Sequence, residues 1–143
     1  MKLSTGKVAF PIEFDNGDKQ TIYFNPNDPD LMIRIKNFGA RVQEKIKDLE
    51  DVELTNEGKP KHIEQVETFE KMQNIIKFEL DYIFGGSVSD VVFKHLSPFA
   101  IVDGEYFVEQ FIKAITPEIE HEIKKAKSNV ANRISKHIDK YSK

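Results

Sequence analysis

The sequence contains no cysteine and no long apolar run. The lack of cysteine excludes disulfide bonds, thiolate metal sites and a cysteine nucleophile, and it is typical of proteins in a reducing compartment. Nowhere do 18 apolar residues follow one another, so we expect no membrane-spanning helix. The first residues, "MKLSTGKVAFPIEF", have no apolar core of signal-peptide length before Pro11 and Glu13. We therefore expect a cytoplasmic protein.

Motifs for catalysis and for metal or cofactor binding are also missing. The sequence has no G-x-S-x-G and no H-E-x-x-H, and the acidic residues at 28, 30 and 48–53 do not match a calcium-binding loop. The four histidines are not spaced for a shared metal site; they are His62, His95, His121 and His137. We expect no catalytic, metal-binding or cofactor-binding residues, and hence a protein that is not an enzyme.

Length and composition fit one soluble globular domain. A chain of 143 residues buries roughly 68–70% of its unfolded surface, so a core is feasible without disulfide or metal cross-links. The net charge of −3 is too small to make the whole chain a polyanion-binding protein. Eleven phenylalanines are spread over every segment except the last, which predicts one shared core rather than an exposed aromatic surface.

The N-terminal segment has the pattern of a β-hairpin over residues 7–24. Two runs, "KVAFPIEF" and "KQTIYF", alternate apolar and polar residues on either side of "DNGD". Asn16-Gly17 predicts a type I′ turn, in which both central residues have positive φ. Pro11 has no amide donor and should face a sheet edge. Because an isolated hairpin is marginally stable, it should pack on helices or on another chain.

Two long helices are predicted next. Asp28 is a good N-cap and Pro29 suits the first helical position, so a helix should cover about 29–52. Apolar residues then recur three and four positions apart and form one buried stripe. A polar connector at 55–61 separates this helix from a second one over about 61–84.

The stretch "LDYIFGGSVSDVVF", residues 80–93, contains two adjacent glycines that raise the question of a phosphate-binding loop. A Walker-type loop follows a strand and has a lysine and a Ser or Thr after its second glycine. Here a helical pattern precedes Gly85 and Gly86, and no lysine occurs until Lys94. An anion at a helix start near Ser87 remains an alternative, but the residues favour a purely structural role.

In that structural interpretation, the glycine pair ends one helix after Phe84 and another begins. A glycine in the left-handed conformation commonly terminates a helix. Ser87 followed by Asp90 then has the pattern of a capping box, with Asp in place of the preferred Glu. The short helix that follows should cover about 88–95.

The last third of the sequence has two further helix-start signals. Asp103 can cap a helix over about 104–115. Thr116 and Pro117, followed by an acidic residue, repeat the pattern of a cap and a first-turn proline. The last helix should therefore run from 117 to about 141.

This last helix combines a narrow apolar stripe with an excess of positive charge. Residues 117–143 carry seven basic and four acidic side chains, so they contribute +3 and the remaining residues −6. The cations form a solvated face that complements the helix C-terminus or a nucleic-acid footprint; in a third interpretation, the apolar stripe fills a groove of a partner. Within this helix no aromatic residue precedes Tyr141, which argues against binding to nucleic acid. The predicted partner-binding residues are Ile119, Ile123, Val130, Ile134 and Ile138.

Two segments of the sequence, residues 24–38 and 80–115, resemble the tail assembly chaperones of long-tailed phages of Gram-positive bacteria and their prophages. The first is "FNPNDPDLMIRIKNF", a strand that leads into a proline-capped helix. The second is "LDYIFGGSVSDVVF" followed by "EYFVEQFIKAI", similar to an FG-x-G helix end, a short helix ending in Phe and a helix with a "FLEA"-like run. The sequence departs from the family in having "FGGS" instead of "FGEGT". The matching residues are Asp28, Pro29, Phe84, Gly85, Gly86, Ser87 and Phe93.

The resemblance implies a mainly helical protein without catalytic residues or cofactors. Proteins of this family self-associate and hold the tape measure protein soluble while tail tube subunits are recruited, and they leave before the virion is complete. Many are also made in a longer, frameshifted form. The hairpin edge at 7–14 and the stripe at 119–141 are the candidate surfaces for the tape measure and tail tube proteins.

These observations predict a mainly α fold with a small N-terminal β-hairpin and about five helices, the last one long. Residues 1–116 should form a single compact domain, and the basic helix 117–143 either packs on it or projects from it. Two other functions stay open: a structural virion or connector component, and a small nucleic-acid-binding regulator that uses the C-terminal helix.

Overall fold

The structure is a computed structural model, and it describes residues 1–49 and 63–141. These residues form four helices and two antiparallel hairpins, which confirms the predicted fold class of a mainly α protein with an N-terminal β-hairpin and a long last helix. The elements are β1 (Val8–Glu13), β2 (Lys19–Phe24), α1 (Pro29–Lys47), α2 (Ile63–Phe84), α3 (Val88–Val92), β3 (Ile101–Val102), β4 (Glu105–Tyr106) and α4 (Phe107–Tyr141).

The first hairpin packs one face on the helices, as its alternating sequence predicts. Phe10 lies opposite Ile22 in the register, and Ile22 and Phe24 are 2% and 1% exposed. The Phe10 ring stacks on the Phe24 ring with centroids 4.3 Å apart. Tyr23 points to the other face and is exposed. The apolar positions of period two therefore build the inner face of this sheet.

The turn of this hairpin differs from the predicted type I′. Gly17 has a φ of 89°, but Asn16 is not among the described residues with positive φ. The Phe14 N–H donates to the Asp18 carbonyl at 2.9 Å, so the loop has three residues and ends in a left-handed glycine. The Asn16 Oδ1 accepts the Asp18 N–H at 2.9 Å, and this side-chain bond stabilises the longer turn.

Helix α1 begins as the sequence predicts. The Asp28 side chain accepts the N–H two residues later at 3.0 Å, and Pro29 occupies the first turn. The last helical residue is Lys47, earlier than the predicted end near 52. The predicted connector at 55–61 lies outside the described residues, as do the first residues predicted for the second helix.

Helix α2 ends at the glycine pair, which confirms its predicted role as a helix terminator. Gly85 has a φ of 72°, and its N–H donates to the Asp81 carbonyl at 2.8 Å. The last turn of α2 has no basic residue of its own. Distant cations bind its carbonyls instead: Lys7 Nζ donates to the Gly85 oxygen at 3.5 Å and Arg34 to the Ile83 oxygen at 3.4 Å.

The predicted capping box of α3 is wrong. Ser87 occupies the N-cap position, but its side chain makes no capping bond. The Asp81 carboxylate of α2 takes that role, because it accepts the Ser89 N–H at 2.7 Å and the Ser89 hydroxyl at 2.8 Å. Ser89 is 3% exposed, so its hydroxyl needs a partner inside the protein. Asp90 remains exposed, and the helix ends at Val92, earlier than predicted.

The two helices predicted over 104–115 and 117–141 are a single helix, Phe107–Tyr141. Asp103 does not cap it. Asp103 and Gly104 have φ values of 52° and 81° and form the two-residue turn between β3 and β4. Positive φ at both turn residues is the signature of a tight hairpin.

The predicted helix break at Thr116 and Pro117 is also wrong. Pro117 lies inside α4, and the Thr116 hydroxyl donates to the Ile112 carbonyl at 2.6 Å instead of capping a new helix. Ile115 and Ile119, on either side of the proline, are 7% and 0% exposed. Their burial contributes roughly 1.5–3 kcal/mol each, which offsets the cost of about 3 kcal/mol for an interior proline.

The hydrophobic core lies where α2, α3 and the first part of α4 meet the inner face of β2. Aromatic contacts cross it, since the Phe84 ring lies 4.9 Å from Phe24 and 5.9 Å from Phe111. Phe78 is an exception among the phenylalanines and is 62% exposed. The buried residues of this core are Ile22, Phe24, Leu31, Leu80, Ile83, Phe84, Val88, Val92, Ile115 and Ile119.

Candidate partner-binding surface

The apolar stripe of the last helix is divided between the core and the surface. Ile119 is 0% exposed and belongs to the core, so it is not accessible to a partner. Ile123 is partly buried against the same core. Val130 and Ile134 are 51% and 55% exposed. The side chain of Ile138 lies outside the described part of the structure.

The exposed part of the stripe forms one wall of a groove against the start of α1. The groove has a volume of about 650 Å³, and we call it the α1–α4 groove. Met32 and Pro29 contribute apolar surface from α1. The described residues that line it are Asn27, Asp28, Pro29, Met32, Ile123, Ala126, Lys127, Val130, Ala131 and Ile134.

Residues 124–136, which we call the outer half of α4, are strongly basic. They contain five basic residues and no acidic residue, and all five basic side chains are exposed: Lys124, Lys125, Lys127, Arg133 and Lys136. At 3.6 residues per turn, Lys127 and Arg133 fall on opposite sides of the line through Val130 and Ile134. The apolar wall of the groove is therefore flanked by positive charge on both sides.

The free edge of β1, the second predicted surface, is poorly suited to strand pairing. Antiparallel strands alternate residues that bond to the neighbour with residues that face away from it. Because the Phe14 N–H bonds towards β2, the odd-numbered residues Ala9, Pro11 and Glu13 face the free edge. Pro11 removes one donor there, as predicted, and a proline at an edge discourages the addition of another strand.

A second cavity, of about 530 Å³, lies between the first hairpin and α4. Its apolar walls include Ile12, Phe14, Val92, Phe107 and Phe111. Its lining also includes polar residues such as Asn16, His95 and Gln110, and Gln110 already donates to the Val102 carbonyl.

The turn of the first hairpin is fixed to the end of α3 beside this cavity. The Asp18 carboxylate accepts hydrogen bonds from His95 Nε2 at 2.7 Å and from Lys94 Nζ at 3.0 Å. Hydrogen bonds from His95, then Lys94 and then Gln20, lower the pKa of Asp18 to about 2. The edge of the His95 ring also packs on Phe14, with centroids 4.8 Å apart. This cluster has a structural role.

Sequence reasoning missed a buried charge between α1 and α2. Glu79 is 1% exposed and pairs with Arg41 at 2.8 Å and with Lys45. Burial raises the pKa of Glu79, but the hydrogen bonds from Arg41 and Lys45 outweigh burial and hold this pKa below its ordinary value. The same cations lie over exposed rings, Arg41 over Tyr82 at 4.9 Å and Lys45 over Phe78 at 4.6 Å. The sequence does carry a sign of this buried charge, because Glu79 is an acidic residue at a core-facing position of its helix.

The residues around the glycine pair do not form an anion site. The Ser89 N–H at the start of α3 is occupied by the Asp81 carboxylate. Two cations near the glycines, Lys7 and Arg34, already donate to the Gly85 and Ile83 carbonyls. Phe93 ends α3 and packs edge-on against Phe107 at 6.1 Å. These motif residues determine the path of the chain.

Among residues 1–49 and 63–141, no group of three or more His, Asp or Glu side chains is arranged to hold a metal ion. None of the helices within these ranges is long and apolar enough to cross a membrane. Comparison with protein-family models, with curated proteins and with solved structures found no match.

Proposed function

We propose that this protein is a non-enzymatic tail assembly chaperone of a long-tailed phage or prophage of Gram-positive bacteria. In this proposal it self-associates in the host cytoplasm and holds the tape measure protein during tail tube assembly. The resemblance of residues 24–38 and 80–115 to this family motivates the proposal. The structural observation that supports it best is the α1–α4 groove, an open apolar surface on the long last helix.

A holding protein needs an apolar surface that can cover a partner's apolar side chains, and its fold must be stable when no partner is bound. Val130 and Ile134 meet this requirement, because both are half exposed on a helix whose first part is anchored in the core. From Ile123 to Ile134 the groove extends about 16 Å, or three helical turns. One groove thus covers a short segment, and self-association would present several grooves to one long partner.

The gene neighbourhood gives the first test. We expect a slippery sequence near the codons for 140–143 with an overlapping reading frame, followed by a very long gene that encodes a helical protein. Co-expression of that partner should then keep it soluble, and light scattering after gel filtration should show a complex. A partner that stays equally soluble alone, with no complex formed, would contradict the proposal. A protein retained in finished virions would instead be a structural component.

A nucleic-acid-binding regulator is the second candidate, and the five exposed cations of the outer half of α4 favour it. Binding through these residues releases counterions, so the logarithm of the DNA affinity should fall with the logarithm of salt concentration with a slope of several units. Weak binding with a flat salt response would remove this candidate.

A further inference from the structure

We propose that the α1–α4 groove selects an amphipathic helix whose apolar stripe is flanked on both sides by acidic side chains. This inference rests on the proposed function, because it names the chemistry of the partner at the same surface. The apolar residues of the groove alone would not select one amphipathic helix over another. The inference adds a preference for the charge of the partner.

The shape and apolar lining of the groove fit a helix. Two helices, α1 and α4, supply the walls, and the apolar side chains between them run along α4 at intervals of three and four residues. An amphipathic helix places its own apolar side chains at the same intervals and can seat them in such a groove. Burial of the half-exposed Val130 and Ile134 would then supply apolar contact energy.

The charges of α4 determine which helix fits. Lys127 lines the groove and Arg133 flanks the apolar wall on its other side. The outer half of α4 has no acidic residue that neutralises them. On the α1 side, Asp28 is the one acidic residue among the described lining residues, and its carboxylate accepts the N–H of Asp30 at the helix start. Acidic flanks on the partner helix would therefore meet the positive charges of Lys127 and Arg133 on the two sides of the α4 wall.

The same charges disfavour other occupants. A second copy of the outer half of α4 would bring five positive charges against five, so pairing of these segments in a homodimer is repelled. Among the lining residues that the structure describes, none is aromatic and able to stack on nucleic acid bases, and the apolar walls give no advantage to a polyanion.

Two synthetic peptides of about 18 residues, long enough to exceed the groove at 1.5 Å per residue, test this inference. Both carry the same leucine stripe; one has glutamate and the other lysine on its flanks. Fluorescence polarisation with the full-length protein at low salt should show at least tenfold tighter binding of the glutamate peptide. The difference should shrink in high salt, because the flanking charges are exposed and screened.

Variants then assign the binding to the groove. Val130→Ser with Ile134→Ser should weaken binding of the glutamate peptide about tenfold, and Ile33→Ser, at a residue 56% exposed elsewhere on the surface, is the matched control. Lys127→Glu with Arg133→Glu should reverse the preference and favour the lysine peptide. Lys36→Glu, at an exposed position on α1, is the control for charge. Circular dichroism confirms that each variant is folded.

Several outcomes would overturn the inference. These are equal binding of the two peptides, an unchanged preference in the charge-reversed variant, or equal effects of the groove and control substitutions. Tighter binding of an oligonucleotide or of anionic vesicles, lost on charge reversal but kept in the Val130 and Ile134 variant, would also overturn it. A tape measure complex that forms without any peptide preference contradicts this inference alone, whereas peptide binding without such a complex contradicts the proposed function alone.

Discussion

The two halves of α4 have the same apolar periodicity and opposite environments. In the inner half, Phe107–Ile123, Ile115 and Ile119 are almost fully buried against α2 and α3. In the outer half, residues 124–136, Val130 and Ile134 remain half exposed beside a groove. A helical stripe therefore shows which side chains share a face, but the rest of the chain decides whether that face is covered.

The charges of the two regions differ in the same way. Glu79, which lies between α1 and α2, is buried and requires Arg41 and Lys45 as partners. Lys127 and Arg133 of the outer half are exposed to solvent. The charge of Glu79 is thus part of the packing, whereas the charges of Lys127 and Arg133 are available to a partner.

Removal of apolar side chains should give the largest difference between the halves. We expect Ile119→Ala to lower the free energy of unfolding by about 4 kcal/mol, because it leaves a cavity in the core. Ile134→Ala, at a half-exposed position, should change it by no more than about 0.5 kcal/mol. Urea unfolding of both variants measures this difference, and equal losses would show that the outer half is part of the core.

The buried carboxylate should give the next largest effect. Arg41→Met combined with Lys45→Met leaves Glu79 unpaired and should cost about 3 kcal/mol at pH 7, the lower end of the range for a buried charge, since water can reach it once the cations are gone. The loss should shrink at pH 4–5, because burial then raises the pKa of Glu79 and the carboxyl takes up a proton. Lys127→Met with Arg133→Met is the control in the outer half, and a loss of similar size there would contradict the comparison.

The continuity of the two halves can be tested at Pro117. Pro117→Ala restores a donor for the Lys113 carbonyl and removes the steric clash of an interior proline, so we expect a gain in stability of roughly 1–3 kcal/mol. If the proline instead separated two helices, the same substitution would be neutral or destabilising in thermal unfolding. Ser128→Ala, at an exposed position of the outer half, serves as a control for helix propensity.

The smallest expected effect is on the contribution of Asp18 to stability at low pH. The pKa of Asp18 is lowered to about 2 in the folded protein by His95, Lys94 and Gln20. Its contribution to stability is therefore present above the ordinary carboxyl pKa and is lost as the pH falls from about 4 towards 2. Wild-type protein should lose more stability than Asp18→Asn over this interval in urea unfolding. An identical pH dependence would show that the cluster does not stabilise the hairpin.

Features that depend on neighbouring residues in the sequence could be predicted. The Asp28 cap, the Gly85 helix end and the first hairpin are each determined by local backbone preferences, and the structure has all three. The β3–β4 hairpin also has a local sequence signal, Asp103-Gly104 after a β-branched residue. It was not predicted because Asp103 was interpreted as a helix cap.

Features that depend on tertiary contacts could not be predicted. Pro117 is a helix breaker by local preference, yet the burial of Ile115 and Ile119 favours a continuous helix through it. Asp81 replaces the predicted serine cap of α3 from the preceding helix, which no local pattern reveals. For the same reason the sequence placed Ile119 and Ile134 in one candidate surface, although the fold covers one and exposes the other.

One pair of measurements tests the central claim that the outer half of α4 is a docking surface rather than core. It compares the urea midpoint and the affinity for the glutamate-flanked peptide in the Val130→Ser, Ile134→Ser variant. We predict an unchanged midpoint and about tenfold weaker peptide binding. A lowered midpoint close to that of Ile119→Ala, with peptide binding unchanged, would contradict the claim.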